Sequence, residues 1–365
     1  MGRMIIFTID NRVRINGDVP DYILSKIMNR LTFENPKYIN AKNRGFSTWN
    51  IPRHLHGYEK EGKALILPRG SIQQVLRIIK DAGLPYQIED HRRSLQPVQF
   101  QFNGILKDFQ EEAVKEMLTV DFGTLSAPPG SGKTVMALAI IAEREQPTLI
   151  IVNNKELVNQ WIERIEFFMG IPRAEVGIIG GGKKAIGPRL TVGIINSIYK
   201  MSSDIRNRFG HIVVDECHHA PSRTFTEGLK HFDARYLLGL SATPFRRDKL
   251  SRLIYWNVGD VVHKIEQDSL MDSGDVLRAE VIPRETDFRS SFDPSEQYSL
   301  MISQLTQDTK RNALIAQDVA QEVRESSGIC LVLTDRKAHV DELVGMIEAQ
   351  GIEADRLTGD LSDKE

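Results

Sequence analysis

The chain has 365 residues, of which 41% are hydrophobic and 26% are charged, and its formal charge is −2. This length allows two or three domains with separate cores, and the composition is ordinary for a globular protein. No apolar run approaches the ~20 residues that cross a bilayer and no signal-peptide pattern is present, so we expect a cytoplasmic protein without a membrane partner. The two cysteines, Cys217 and Cys330, lie far apart in or beside predicted core strands, so a disulfide framework is not expected.

Positive charge is concentrated in the amino-terminal part of the chain. Residues 1–100 hold 16 Lys and Arg against 9 Asp and Glu, an excess of seven, so the remaining residues carry an excess of nine negative charges. A basic segment of this kind favours a nucleic-acid contact at one end of the molecule.

Residues 1–93 are predicted to form a small α+β domain. Their apolar patterns predict a hairpin over residues 4–15, a helix over 21–31, a strand and turn over 64–70, a helix over 71–82 and a strand over 86–90. Asp18 or Asp21 is the expected N-cap of the first helix.

A basic and aromatic segment over residues 33–53 is the candidate nucleic-acid surface of this domain. Its cations and rings are interleaved: Lys37, Tyr38, Lys42, Arg44, Phe46, Trp49 and Arg53. This mixture suits phosphate contacts combined with base stacking. The alternative is a domain whose aromatic residues are core and whose lysines are solvated surface. We expect contacts with nucleic acid from Lys37, Arg44, Trp49 and Arg53.

A phosphate-binding loop is predicted within residues 122–136. A short apolar run leads into Ala127-Pro-Pro-Gly-Ser-Gly-Lys-Thr134, and an amphipathic run follows over residues 134–143. In such a strand, loop and helix, the backbone N–H groups and the helix N-terminus form a nest for a triphosphate. Lys133 would reach the β- and γ-phosphates, and the Thr134 hydroxyl would hold Mg²⁺. The residues expected to contact ATP are Pro129, Gly130, Ser131, Gly132, Lys133 and Thr134.

Two adjacent carboxylates, Asp215 and Glu216, follow the buried-strand run at residues 211–214. An apolar strand has no packing reason to carry them. A Mg²⁺ ion held by Thr134 and Asp215 would balance their charge and leave Glu216 to orient a water for in-line attack on the γ-phosphate. The sequence therefore predicts an ATP and Mg²⁺ site at which Lys133, Asp215 and Glu216 meet.

The Asp215-Glu-Cys-His218 box, the Ser241-Ala-Thr-Pro244 turn and the alanine-first phosphate loop follow one another in the order of a known family. On these motifs, residues 104–365 resemble the superfamily 2 helicases and translocases of DEAD/DEAH type, toward the XPB-like and phage UvsW-like branch. The resemblance implies an α/β fold: a RecA-like parallel-sheet motor lobe over residues 94–266, a linker or insertion over 267–308 and a partial second RecA-like lobe over 309–365.

The resemblance also implies roles for individual residues. Gln110, with Phe109 beside it, stands where the family places its adenine-reading glutamine, and His218 would couple the γ-phosphate to Ser241 and Thr243. The expected nucleic-acid contacts of the motor are Asn154, Lys155, Asn196, Ser197, Arg246, Arg247, Thr334 and Arg336. XPB-like proteins carry an Arg-Glu-Asp triplet after the turn, and Arg247 stands here in place of its glutamate. This difference puts in doubt whether the chain opens DNA with the same triplet.

In the second lobe we predict helices over residues 309–323 and 337–350 and buried strands over 328–333 and 352–357. A complete lobe of the family would need roughly another hundred residues. Those would carry an arginine finger, which contributes on the order of 10³–10⁵ in rate where it is used. We therefore expect that this chain binds ATP and DNA with hydrolysis and translocation severely reduced, and that a longer parent protein would be the active motor.

The favoured interpretation is an ATP-dependent DNA helicase or double-strand DNA translocase of repair or recombination, acting as a monomer on double-stranded or forked DNA. Alternatives are an RNA-dependent ATPase, the motor subunit of a restriction system, and a nucleic-acid-binding module whose nucleotide site switches conformation without turnover. A small-molecule kinase is disfavoured, because it would leave the Ser-Ala-Thr turn and the second lobe without a role.

Overall fold

The structure is a computed structural model that describes residues 4–219, 223–242, 250–278 and 280–359. The chain forms two compact units, Met1–Arg278 and Ala279–Glu365. Within the described ranges, no helix is both long and apolar enough to cross a bilayer.

The first unit contains two large sheets and the helices that cover them. Its strands are β1 (Ile5–Ile9), β2 (Arg12–Gly17), β3 (Thr32–Glu34), β4 (His54–His56), β5 (Glu59–Glu61), β6 (Ala64–Pro68), β7 (Tyr86–Asp90), β8 (Phe122–Ser126), β9 (Thr148–Val152), β10 (Gly177–Gly180), β11 (Lys183–Ala185), β12 (Leu190–Ile194), β13 (His211–Val214), β14 (Tyr236–Ser241) and β15 (Val261–Lys264). Its helices are α1 (Asp21–Arg30), α2 (Pro36–Asn43), α3 (Ile72–Asp81), α4 (Asp108–Leu118), α5 (Lys133–Arg144), α6 (Lys155–Met169), α7 (Ile195–Ile205), α8 (Arg223–Leu229), α9 (Ser251–Val258) and α10 (Gln267–Asp272).

The amino-terminal sheet has the strand order β5-β6-β2-β1-β7. Strand β1 pairs antiparallel with β2 and parallel with β7. Alternate residues of β1 are buried, among them Phe7, and pack with the apolar faces of α1 and α3. The predicted hairpin, helices and strands are confirmed, but the predicted N-cap is wrong. Pro20 precedes the first turn of α1 and no side chain caps it, since a fixed proline φ suits a helix start without a polar cap.

The larger sheet has the strand order β11-β10-β12-β9-β13-β14-β8-β15, and all its neighbours are parallel except β10 and β11. Its central strands are buried on both faces, which explains their continuous apolar runs. In β13, Ile212 and Val214 belong to the cluster that continues into the amino-terminal domain, and Val213 to the cluster covered by α4, α5 and α6. This parallel sheet with helices on both faces is the predicted α/β motor-lobe architecture.

The amino-terminal domain packs directly on the larger sheet. One hydrophobic cluster runs from Phe7 to the sheet residue Phe122 and to Trp256 of α9. A Cβ added at Gly57 would overlap the Trp256 ring, so the two parts approach at backbone distance there. The buried Arg69 donates from Nη1 to the Ala234 carbonyl at 2.8 Å. The predicted domain boundaries at residues 93, 266 and 308 stay predictions.

The second unit contains α11 (Tyr298–Thr306), α12 (Thr309–Glu325) and α13 (Lys337–Glu348), and the latter two pack through Ala316, Leu343 and Ile347. Both predicted helices are confirmed. The predicted strands at residues 328–333 and 352–357 are not formed, because neither segment pairs with another among the described residues of the unit, and a strand exists only in a ladder. The side chains of residues 328–333 are accordingly exposed, Cys330 among them, whereas Ile352 and Ala354 of the second segment pack, partly buried, against the helix cluster.

Candidate functional site

The candidate site lies where three neighbouring parallel strands end. β8 leads into the phosphate loop, β13 into Asp215 and β14 into Ser241, and the sheet order places β14 between the other two. The Ala127 N–H donates to the Ser241 carbonyl at 2.9 Å, so the first residue of the loop is hydrogen-bonded to the last residue of β14. Ligands of open parallel sheets bind at this edge.

The loop has the conformation that its glycines permit. Gly130 and Gly132 have φ of +81° and +84°, and Gly132 is the N-cap position of α5. A Cβ at Gly132 would meet the Gln110 amide at 2.5 Å. The buried Ser131 hydroxyl donates to the Pro128 carbonyl at 2.7 Å, while Pro129 and Gly130 form the exposed tip. The loop is therefore held from inside and open at its tip.

Lys133 shares an electrostatic environment with both predicted carboxylates. Its Nζ donates to the Ala127 carbonyl at 3.0 Å, over the loop. Burial lowers the pKa of Lys133, and the nearby Glu216 and Asp215 oppose that shift. The structure thus brings these three residues together, as the sequence predicts.

Asp215 is held by a tryptophan that the sequence analysis missed. Trp161 Nε1 donates to Asp215 Oδ2 at 2.7 Å, and the Glu216 N–H donates to Oδ1 at 2.9 Å. Burial raises the pKa of Asp215, the Trp161 hydrogen bond opposes this, and the Glu216 charge adds to it. A buried tryptophan on an amphipathic helix looks like core in a sequence, so no local signal could have singled it out.

Glu216 has a left-handed backbone, with φ of +46°, which costs a non-glycine residue on the order of 1–3 kcal/mol. Its Oε2 is buried, makes no hydrogen bond within the described residues and lies 3.1 Å from His218 Nδ1. The same ring nitrogen lies 3.2 Å from Ser241 Oγ. Contacts therefore run from Glu216 through His218 to Ser241, the last residue of β14, whose carbonyl accepts the Ala127 N–H. Thr243 lies outside the described residues.

The oxygen donors present fit Mg²⁺. The described residues contain no group of three or more His, Cys, Asp or Glu side chains that could hold a metal by themselves. Mg²⁺ commonly takes one or two protein oxygens and completes its shell with phosphates and water. Thr134, in the first turn of α5, and the Asp215 carboxylate suit such a partial set.

Gln110 connects the start of α4 to the phosphate loop. Its Nε2 donates to the Ser131 carbonyl at 2.9 Å, and its Oε1 accepts from the Lys107 N–H at 3.0 Å. One N–H of the amide remains for a base. Phe109 packs, half-buried, against the cluster beneath α4 and α5. Adenine reading by Gln110 stays a prediction.

The predicted strand-end contacts of the motor lie at helix starts. Asn154 is the N-cap of α6 and accepts from the Leu157 N–H at 2.9 Å, and Lys155 is exposed beside it. Asn196 and Ser197 lie in the first turn of α7, because that helix begins at Ile195, directly after the end of β12. Arg246 and Arg247 lie outside the described residues.

Two aromatic residues of the basic segment, Phe46 and Trp49, lie on the surface, whereas Tyr38 is half-buried and Phe33 packs against the core cluster. Trp49 is 93% exposed and Phe46 is 63% exposed. Lys37 on α2 and Arg44 after it are exposed too, and Arg53 pairs with Glu34 at 3.6 Å. Phe46 and Trp49 are therefore available for stacking, as the nucleic-acid interpretation requires.

In the second unit, the predicted contacts Thr334 and Arg336 are engaged internally. Thr334 Oγ1 lies 2.7 Å from His339 Nδ1, and His339 Nε2 lies 2.9 Å from Asn312 Oδ1. Arg336 donates from Nη2 to Ser299 Oγ at 2.9 Å. Contact of Thr334 and Arg336 with nucleic acid stays a prediction.

We expect the Trp161→Phe variant to need roughly 10-fold more Mg²⁺ for half-maximal ATPase, because losing a hydrogen bond that orients a metal ligand commonly costs 10–100-fold in metal affinity or activity. A Mg²⁺ titration at fixed ATP measures this. Phe167→Leu, an exposed change on the same helix, is the matched control. An unchanged Mg²⁺ requirement in Trp161→Phe would mean that Trp161 is only core.

Comparison with known proteins identifies similar chains. Residues 103–246 match the family model described as Type III restriction enzyme, res subunit. The DNA 3'-5' translocase XPB2 of Sulfurisphaera tokodaii is 37% identical over 159 residues, which are 44% of this chain and 35% of that protein. A putative ATP-dependent RNA helicase of Acanthamoeba polyphaga mimivirus is 28% identical over 247 residues, which are 64% of this chain and 42% of that protein.

The solved structure of the UvsW helicase from bacteriophage T4 superposes with a TM-score of 0.55 at 19% identity, over 72% of this chain and 99% of that one. At this identity the likeness shows the fold, which is that of a helicase motor. The matches span less than half the length of the two curated relatives.

Proposed function

We propose that this chain hydrolyses ATP in order to move along double-stranded or forked DNA during repair or recombination. The premise is that the chain belongs to superfamily 2 of the helicases, in their XPB-like and UvsW-like branch. Helicase-type ATPase chemistry follows from the family, and DNA translocation is the finer proposal. The observation that most supports ATP hydrolysis is the shared electrostatic environment of Lys133, Asp215 and Glu216 at the carboxyl edge of the sheet, where β8 and β13 end on either side of β14.

In this mechanism the loop N–H groups and Lys133 bind the phosphates of ATP. Thr134 and Asp215 would hold Mg²⁺, which neutralises phosphate charge when bound. Glu216 has a buried carboxylate oxygen without a hydrogen bond to the described residues, so it can accept one from the attacking water. Trp161 keeps the Asp215 carboxylate oriented.

The line from Glu216 through His218 to Ser241 gives the site a route for sensing the γ-phosphate. A hydrogen bond between Glu216 and the attacking water would alter the contact of the Glu216 carboxylate with the His218 ring. The same ring contacts the Ser241 hydroxyl. The Ser241 carbonyl holds the first residue of the loop. These contacts would link the state of the γ-phosphate to the position of the loop.

Support for DNA comes from the exposed basic and aromatic segment and from the relative named as a DNA translocase. The RNA-dependent alternative has support from the relative named as a putative RNA helicase. Stacking and phosphate contacts suit either nucleic acid, so the choice between them requires a direct comparison.

The test is steady-state ATPase with no nucleic acid, with duplex DNA, with forked DNA and with RNA of matched length. We expect DNA to stimulate turnover more than RNA does, and Lys133→Ala to abolish turnover in every arm because the phosphates lose their loop cation. Absence of stimulation by DNA would contradict the proposed function. Stronger stimulation by RNA would favour the alternative.

A further inference from the structure

A second basic surface, which uses none of the cations at residues 33–53, lies on the first unit. It is a groove of about 580 Å³ between α1, α3 and α9. We call it the α1/α3/α9 groove. The residues on which its character depends are Lys26, Arg30, Gln74, Arg77, Asp81 and Arg252. Helices α1 and α3 come from the amino-terminal domain, whereas α9 belongs to the part of the chain that builds the motor sheet.

Helical spacing explains why these side chains share one surface. Lys26 and Arg30 are four residues apart on α1, and Gln74, Arg77 and Asp81 follow at intervals of three and four on α3. The opposite faces of both helices are apolar and pack in the core. Each helix therefore turns a polar row toward the groove.

The cations of the groove outnumber the carboxylates that the described residues place beside them. Lys26, Arg30, Arg77 and Arg252 make no salt bridge with any carboxylate in the described ranges, and Asp81 is the one acid among the lining residues. Elsewhere in the same domain, arginines do pair with acids: Arg12 with Glu59, Arg14 with Asp10 and Arg53 with Glu34.

The groove thus holds four cations against two carboxylates, Asp81 in the lining and Asp260 beneath Gln74; the excess positive charges repel one another, and a bound polyanion would relieve that repulsion. This excess is notable in a chain whose overall charge is −2.

The floor of the groove is fixed by a hydrogen-bonded relay across the two parts. Arg30 Nε donates to Gln74 Oε1 at 3.1 Å, and Gln74 Nε2 donates to Asp260 Oδ1 at 2.5 Å. Gln74, at the centre of this relay, is buried, whereas Arg30 is exposed at one end. The Arg252 guanidinium lies 5.9 Å from the centre of the Phe33 ring, which also comes from the amino-terminal domain. The groove is therefore preorganised on both sides of the boundary.

We propose that the α1/α3/α9 groove binds the phosphate backbone of DNA and so joins the amino-terminal domain and the motor on one strand. This rests on the proposed function, in which the chain acts on DNA. The cations are spread over three helices and are exposed, which suits a repeating polyanion better than a single small anion. In sequence, Arg252 also follows closely on Arg246, Arg247 and Lys249.

The experiment compares two triple variants that remove the same charge. The groove variant is Lys26→Gln with Arg77→Gln and Arg252→Gln, and it leaves the Arg30 to Gln74 hydrogen bond intact. The control is Lys60→Gln with Lys63→Gln and Lys115→Gln, which are exposed cations outside the groove. Binding to a fluorescein-labelled DNA duplex is measured by anisotropy over a range of KCl concentrations. Circular dichroism and the thermal midpoint establish that both variants are folded.

We expect the groove variant to bind the duplex on the order of tenfold more weakly at low salt, with a slope of log Kd against log salt that is lower by about 3, because each phosphate contact adds about 1 to that slope. The control should keep the slope of the unsubstituted chain. Equal losses in both variants, or a groove variant that binds normally, would overturn the groove proposal and leave DNA action standing. No binding by the unsubstituted chain would instead overturn the proposed function.

Discussion

Replacing Glu216 by glutamine is expected to lower the ATPase rate by about 10²–10⁴-fold while ATP binding is retained, because general-base assistance contributes on that order. Glutamine keeps the shape of the side chain but cannot take a proton from water. The Glu216 charge raises the pKa of Asp215, so its removal favours the charged form of Asp215 and should not weaken Mg²⁺ binding. Single-turnover ATPase and a fluorescent-nucleotide titration measure the two effects separately.

Glu163→Gln is the matched control for this variant, since Glu163 is an exposed carboxylate on α6. It should leave both measurements unchanged. A Glu216→Gln protein that turned over ATP normally would remove Glu216 from the chemistry. One that lost turnover but kept its full DNA-dependent activity in a biological assay would favour the nucleotide-switched binding module.

Replacing Arg144 by methionine is expected to destabilise the motor sheet by roughly 3–4 kcal/mol, because a buried acceptor left without its donor costs about 1–3 kcal/mol. Arg144 donates to the Met117 and Val120 carbonyls at 3.1 and 2.8 Å and contacts His211 Nε2 at 3.0 Å. Its guanidinium also lies 4.6 Å from the centre of the Tyr236 ring. Burial lowers the pKa of Arg144 to about 10, so it remains charged at neutral pH.

Hydrogen exchange of the β13 and β14 amides is the appropriate measurement, because a chain of two units need not unfold in one step. Exchange should be on the order of 10²–10³ faster in Arg144→Met. Arg164→Met, an exposed arginine on α6, should exchange like the unsubstituted chain. Equal protection of both strands in the two variants would show that Arg144 does not hold the sheet.

Arg144 lies at the opposite ends of the strands that carry the candidate site. β13 carries Asp215 and Glu216, β14 carries Ser241, and Arg144 contacts the beginnings of both strands through His211 and Tyr236. Arg144 thus fixes the amino ends of the two strands whose carboxyl ends carry the candidate site. Loss of Arg144 should therefore also reduce nucleotide affinity.

The sequence by itself determined the helices, the strands of the first unit that carry the site, and most of the candidate nucleotide site. The strand, glycine loop and helix at residues 122–144 and the acid pair after β13 are local patterns, in which neighbouring residues specify the backbone conformation. Parallel strands end at one edge of their sheet, so residues that follow the ends of such strands are expected to lie close together. Lys133, Asp215 and Glu216 are residues of this kind.

Only the tertiary structure decided which distant side chains meet. Trp161 and Asp215 are 54 residues apart, and Gln74 and Asp260 are 186 apart, so no local pattern could reveal either contact. The segment at residues 328–333 has the composition of a buried strand but remains unpaired. A strand depends on hydrogen bonds to another segment and a helix satisfies its own, which is why the helices were predictable from sequence and the pairings, the Asp215 support and the α1/α3/α9 groove were not.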